Sequence, residues 1–158
     1  MLGIPVAAGS FARTDSTASC AREVVIAGSV LVPHTPASVA LARQRLADDL
    51  MAAGIFDAAV GDAVLVVSEL LSNAIRHAQP LPGASIQVAW AVDDDAIEVA
   101  VSDGGAHTRP VPARATVSSL GGRGLDIVKY LATTWGVRTD DTGLTVWAVL
   151  PALGADGS

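Results

Sequence analysis

Residues 57–78, DAAVGDAVLVVSELLSNAIRHA, read as one helix that is apolar around most of its circumference. Val64, Leu65, Val66, Val67, Leu70, Leu71, Ala74 and Ile75 have to be covered by other elements, so the rest of the chain must supply a layer for this helix to pack on. Into that oily surface the sequence sets a polar row: Glu69, Asn73 and His77, four residues apart. Steps of four overshoot a full turn by about 40°, so the row drifts slowly around the helix. A solvated face would explain it. Against that stand the narrowness of the polar strip and the presence of Asn, a modest helix former, in mid-helix. An amide oxygen and a carboxylate one turn apart can both face a hard cation or its water shell, as Mg²⁺ prefers.

The elements around this helix follow from local patterns. REVVIAGSVLV, residues 22–32, is β-rich and suits an edge strand. HTPASVALARQRLADDLMAAG then carries helix signals at both ends: Thr35 as cap, Pro36 at the first helical position and Gly54 as the stop. Val39, Ala42, Leu46, Leu50 and Ala53 form its buried stripe. QPLPG ends the second helix. SIQVAWAV and IEVAVSD alternate, joined by Asp93–Asp95, and predict a hairpin with one buried face. After a stretch from Ala106 to Leu120, GGRGLDIVKYLATTWG opens a helix on glycines, and WGVRTDD with TGLTVWAVL closes the chain as a second hairpin. Segregated hairpins plus a helical layer predict an α+β fold, a two-layer sandwich with a mixed, mostly antiparallel sheet and helices on one face.

The 158 residues suit one domain at 22–150, between loose tails at 1–21 and 151–158. At 51% hydrophobic the chain can form a real core. A formal net charge of -6 argues against direct nucleic-acid binding and allows an acidic face for a basic partner. A single cysteine, Cys20, excludes an internal disulfide and fits a cytoplasmic setting. The N-terminus makes a poor signal peptide, and no apolar run of about 18 residues is evident, so no membrane span is expected.

Two further features carry chemistry. Strict alternation puts Asp103 on the side of Ile97, Val99 and Val101, toward the helical layer. A carboxylate there is expensive unless paired. Gly104 and Gly105 beside it admit a close neighbour, so it suits a ligand's amino group such as the exocyclic amine of adenine; a turn Asp closing its own loop is the simpler alternative. In GGRGLDIV the glycines bare the N–H groups of a helix start, which makes an anion site. Neither the dinucleotide fingerprint nor the P-loop pattern is met.

Helix acid and amide, strand–Asp–Gly, a variable stretch, glycines opening a helix, then a closing hairpin: this order resembles the Bergerat-fold (GHKL) ATP-binding domain of gyrase, MutL and histidine kinases. SELLSNAIRHA is similar to its N-box, VSDGG and GGRGLDIV to its two glycine boxes, GLTVWAVL to its closing strand. Within that fold the chain looks most like the anti-sigma factor serine kinases of the RsbW and SpoIIAB type. The resemblance implies ATP and Mg²⁺ as cofactors, with Asn73 as Mg²⁺ ligand and Glu69 as general base or water-positioning group. It implies Asp103 at the adenine amine with Gly105 in support, Gly122, Arg123, Gly124 and Leu125 around the phosphates, and Thr145 assisting at adenine. For His77 a packing or hydrogen-bonding role at the helix end is expected. His107 replaces the last glycine of the first glycine box, and Leu144 stands where the kinase group often has Lys. The implied function is a cytoplasmic homodimer, joined near REVVIAGSV, that holds a sigma factor and phosphorylates a STAS-type antagonist on serine. A non-catalytic, nucleotide-dependent partner-switching adaptor is the alternative. A subunit acting beside a receptor protein is a third. There is no room for the helix pair of an autonomous histidine kinase.

Overall fold

A computed structural model of the chain describes residues 26–93, 95–105, 122–141 and 143–152. The expected tail over 1–21 lies outside them, as do residues 153–158. In chain order the elements are β1 (Ile26–Pro33), α1 (Ser38–Ala52), α2 (Asp57–His77), β2 (Ser85–Val92), β3 (Ala96–Asp103), α3 (Gly122–Leu131), β4 (Thr134–Asp140) and β5 (Gly143–Pro151). The strands form one sheet in the order β1-β2-β3-β5-β4, and every pairing is antiparallel. β1 is the edge strand that the sequence predicts. The helices cover one face: α1 packs on β1, α2 on β3 and β5, and α3 on α2. This is the predicted two-layer α+β sandwich with helices on one face, except that the sheet is wholly antiparallel among the described residues and not mixed.

The core lies between the layers. Leu46 and Leu50 of α1, Leu71 of α2, and Ile86, Trp90, Ile97 and Leu150 of the sheet are fully buried. Trp90 also donates its indole N–H to Asp49 at 2.8 Å, which ties α1 to β2 by a polar stitch inside an apolar seam. Across the hairpin, Asp93 accepts from the backbone N–H groups of Asp95 and Ala96, both at 2.8 Å, and so closes the β2–β3 turn.

Several local expectations are corrected. Thr35 does not cap α1. The helix begins at Ser38 with Ala37 before it and no side-chain cap, because Thr35 and Pro36 are spent in the preceding turn, where the Thr35 carbonyl accepts from Ser38 N–H. The Ser38 hydroxyl reaches back to the Pro33 carbonyl instead, at 2.6 Å. The stop at Gly54 is as expected. Its φ of 81 lets Gly54 N–H reach Met51 O and Ile55 N–H reach Leu50 O, a Schellman closure. Leu65 is 47% exposed, so the buried circumference of α2 is narrower than its composition suggests. The β2–β3 hairpin has buried residues on both faces although helices cover only one: Ala91 and Ala100 are buried on the side away from the helices, beside Trp147 of β5. α2, at 21 residues, has the length and mean apolarity that a membrane span needs, but half of its most apolar window is buried inside the fold, as in the core helix of a globular domain. Its apolar surface is used against α1, α3 and the sheet.

The two faces of α1 should respond differently to truncation. Leu46→Ala should cost about 2–5 kcal/mol in urea denaturation, since it opens a cavity at a fully buried site. Leu41→Ala, at a residue 47% exposed, should stay within about 0.5 kcal/mol. Equal losses would mean that α1 packs by a different face.

Candidate functional site

Asp103 is the last residue of β3 and is buried, on the helical face with Ile97, Val99 and Val101. Gly105, at φ 84, turns its N–H back onto Asp103 Oδ1 at 2.7 Å. The carboxyl therefore closes its own loop, as the simpler alternative expected. One N–H does not exhaust a carboxylate's lone pairs, so the two roles are compatible. Burial pushes the Asp103 carboxyl up to about 6, against the opposing pull of the Gly105 N–H and of positive charge on His34.

The exit of α2 is stitched to this loop. Ala78 leaves the helix in extended conformation. Gln79 N–H then donates to Gly105 O at 3.0 Å, and Gly104 N–H donates to Gln79 O at 2.7 Å. Gly104 sits so close to the Pro80 carbonyl that a Cβ would collide with it. The prolines that end α2 thus deliver its last residues onto the strand end that carries Asp103.

Along α2 the polar row behaves as three different residues. Glu69 is half-buried, Asn73 is 2% exposed and His77 is exposed at the helix end. Asn73 Oδ1 accepts from the Arg76 guanidinium at 2.9 Å, while its Nδ2 is buried with no hydrogen-bond partner. A buried amide donor without a partner costs roughly 1–3 kcal/mol, and an arriving acceptor such as a water or a phosphate oxygen would remove that cost. The amide oxygen already holds a cationic donor, and a metal ion there would exchange one cation for another. Among the described residues no group of three His, Cys, Asp or Glu side chains could hold a metal alone. An Mg²⁺ on Oδ1 would first have to displace Arg76, and the free Nδ2, a donor, would take a phosphate oxygen and not a metal.

α3 starts at Gly122, so the glycine cluster does open a helix, and α3 packs on α2. Gly121, His107 and the rest of 106–121 lie outside the described residues, and of Gly122, Arg123, Gly124 and Leu125 only the backbone is described. The expected place of Thr145 at the adenine is corrected. Thr145 pairs with Ser102, and their hydroxyls lie 2.7 Å apart on the face opposite Asp103. Leu144 is the residue paired with Asp103. A groove of about 320 Å³ lined by Ala40, Arg43, Gln44, Ala47 and Val64 contains none of the predicted site residues.

Two residues escaped the sequence reading. Arg76 could have been found, because it lies three positions after Asn73 on one helix and such pairs meet. His34 could not: it reaches Ala78 O at 3.0 Å across 44 residues of chain.

The antiparallel sheet carries helices on one face, and the buried acid at the end of β3 and the buried amide of α2 both lie in the layer between them. The chain belongs to the histidine kinase-like ATPase domain family, whose model matches residues 32–150. The family implies ATP binding, typically with Mg²⁺. No curated protein matches the chain. Among solved structures it is similar to the RsbU and RsbW domains of Rv1364c from Mycobacterium tuberculosis, with a TM-score of 0.57 and 20% identity over 79% of this chain and 31% of that one. This chain therefore spans about a third of that protein, and the likeness is one of fold.

Asp103 yields a prediction about stability. Between about pH 4 and 6 the folded chain keeps a proton on Asp103 that the unfolded chain has released, so stability falls as pH rises through that window. Asp103→Asn keeps an acceptor for Gly105 and removes the buried charge. It should be more stable than wild type at about pH 8, by up to about 3 kcal/mol, with the gain gone below about pH 4. Chemical denaturation across pH measures it; an Asn variant less stable at every pH would refute the account of Asp103 as a costly buried acid.

Proposed function

We propose that this chain is an Mg–ATP-dependent regulator of the anti-sigma type that phosphorylates a serine of an antagonist protein. The observation that carries the proposal is the buried, unpartnered Nδ2 of Asn73 on α2, a helix stitched at its exit to the loop of the buried Asp103. Both polar groups are costly in an apo protein, and both are suited to the two ends of one adenine nucleotide.

Each residue then has a task. Ionised Asp103 accepts from the adenine amine, while the backbone of Gly105 holds the carboxylate in place. Asn73 binds at the phosphates. The first turn of α3, Gly122 to Leu125, offers backbone N–H groups to phosphate oxygens. Bound Mg²⁺ supplies neutralisation of the phosphate charge. Glu69 accepts the proton of the substrate serine as its oxygen bonds the γ-phosphorus and the bond to the bridging oxygen of ADP breaks. Thr145 has no part in this scheme. Support for the anti-sigma setting comes from the N-box and glycine-box resemblance and from the fold shared with a structure containing an RsbW domain. In that setting the partners are a sigma factor and a STAS-type antagonist, in the cytoplasm, with no direct contact to nucleic acid or membrane. The chain forms a homodimer along the β1 edge, where Leu31 is 63% exposed.

Mg–ATP or Mg–ADP should raise the melting temperature, by the equivalent of about 2.7 kcal/mol at a hundredfold excess over Kd. A flat response to saturating nucleotide would refute the assignment. With labelled ATP and an antagonist, label should pass to serine; nucleotide binding without transfer would leave the non-catalytic adaptor. Glu69→Gln should lower transfer at least roughly a hundredfold with ADP affinity nearly kept, as for loss of a general base, whereas Asp103→Asn should weaken ADP binding itself. Equal loss of binding in both variants would refute this division of roles.

A further inference from the structure

His34 stands in the connection between β1 and α1, outside every element that carries the proposed site. Its Nε2 lies 3.0 Å from the carbonyl oxygen of Ala78. A carbonyl only accepts, so Nε2 carries the proton in this contact. The backbone N–H of His34 donates to the Ala84 carbonyl at 3.0 Å. His34 thus grips the α2–β2 connection near both of its ends. That connection is the one whose Gln79 exchanges hydrogen bonds with Gly104 and Gly105, and Gly105 is the donor to Asp103. An unbroken run of contacts leads from the imidazole, through the exit of α2, to the buried carboxylate.

We propose that His34 is a positioning residue for adenine recognition: its hydrogen bond to Ala78 sets the exit of α2 and, through it, the loop that orients the Asp103 carboxylate. The proposal rests on the reading of Asp103 as the adenine acceptor. A histidine placed here adds a second action, since its positive form favours ionised Asp103. The other elements packed on β3 offer little competition for that role. β2 and β5 contain no titratable side chain. α2 brings Glu69, Arg76 and His77 to its second half, where Arg76 and His77 are exposed and Arg76 is bonded to Asn73.

The two actions separate by substitution in the full chain. Glutamine keeps an amide donor in place of Nε2–H but cannot become charged; alanine loses both. At about pH 8, where Asp103 is ionised, His34→Ala should weaken ADP binding by roughly three- to tenfold, the loss of one hydrogen bond, while His34→Gln stays within about twofold. From about pH 5 to 8, the midpoint at which ADP affinity falls on acidification should move upward in both variants. Without nucleotide, amide hydrogen exchange at Gln79, Gly104 and Gly105 should speed up in His34→Ala and stay near wild type in His34→Gln. Wild-type affinity and exchange in His34→Ala would overturn the proposal, and so would a Gln variant as damaged as the Ala variant, which would assign the effect to ring packing. If wild type binds no adenine nucleotide, the functional reading falls, and with it the adenine role of His34; the exchange data then decide alone whether the latch exists.

Discussion

The carboxyl of Asp103 is buried at the end of a strand, and the surrounding structure is arranged to make that tolerable. Its burial raises its pKa to about 6, so at neutral pH the folded chain carries a charge it would be more stable without. One backbone N–H, from Gly105, and the nearby positive charge of His34 offset part of the cost. The turn after β3, the exit of α2 and the glycines at 104 and 105 all serve this one group. A position that is expensive in the free protein and has acceptor capacity left over is what a site for an amine-bearing ligand requires.

The same logic extends along α2. This helix is the apolar centre of the fold, covered by α1, α3 and the sheet, and it also bears Asn73 with an unpartnered buried donor. Stability and site are built on adjoining strips of one element. Leu70, Leu71 and Ala74 lie in the core around Asn73, so the amide is held by packing rather than by a loop. The Arg76 guanidinium donates to its oxygen, which fixes the orientation of the amide and leaves Nδ2 as the free donor.

Much of this was legible in the sequence, because period and punctuation are local. The long helix, both hairpins, the Gly54 stop and the inward aspect of Asp103 all follow from residues within a few positions of each other. What failed was also local, but decided by competition. Thr35 looked like a cap, yet the turn before Ser38 uses its backbone first. The closing-strand motif points to Thr145, but the register that pairs it with Ser102 sets it on the far face. A one-residue difference of register inverts every side chain of a strand, and composition alone does not reveal it. His34 was beyond reach, since its role depends on a contact 44 residues away. The family match over residues 32–150 agrees with the span of the fold.

The central claim is that α2 and the end of β3 bind one ligand together. Chemical-shift mapping of the backbone and side-chain amides with Mg–ADP tests it most directly. The account predicts that the Asn73 side-chain amide, the Gly104 and Gly105 amides and the first turn of α3 shift together with a single affinity, while the groove at Arg43 and Gln44 and the open-face pair Ser102 and Thr145 stay nearly still. Shifts confined to that groove, or separate affinities for Asn73 and Gly105, would contradict it.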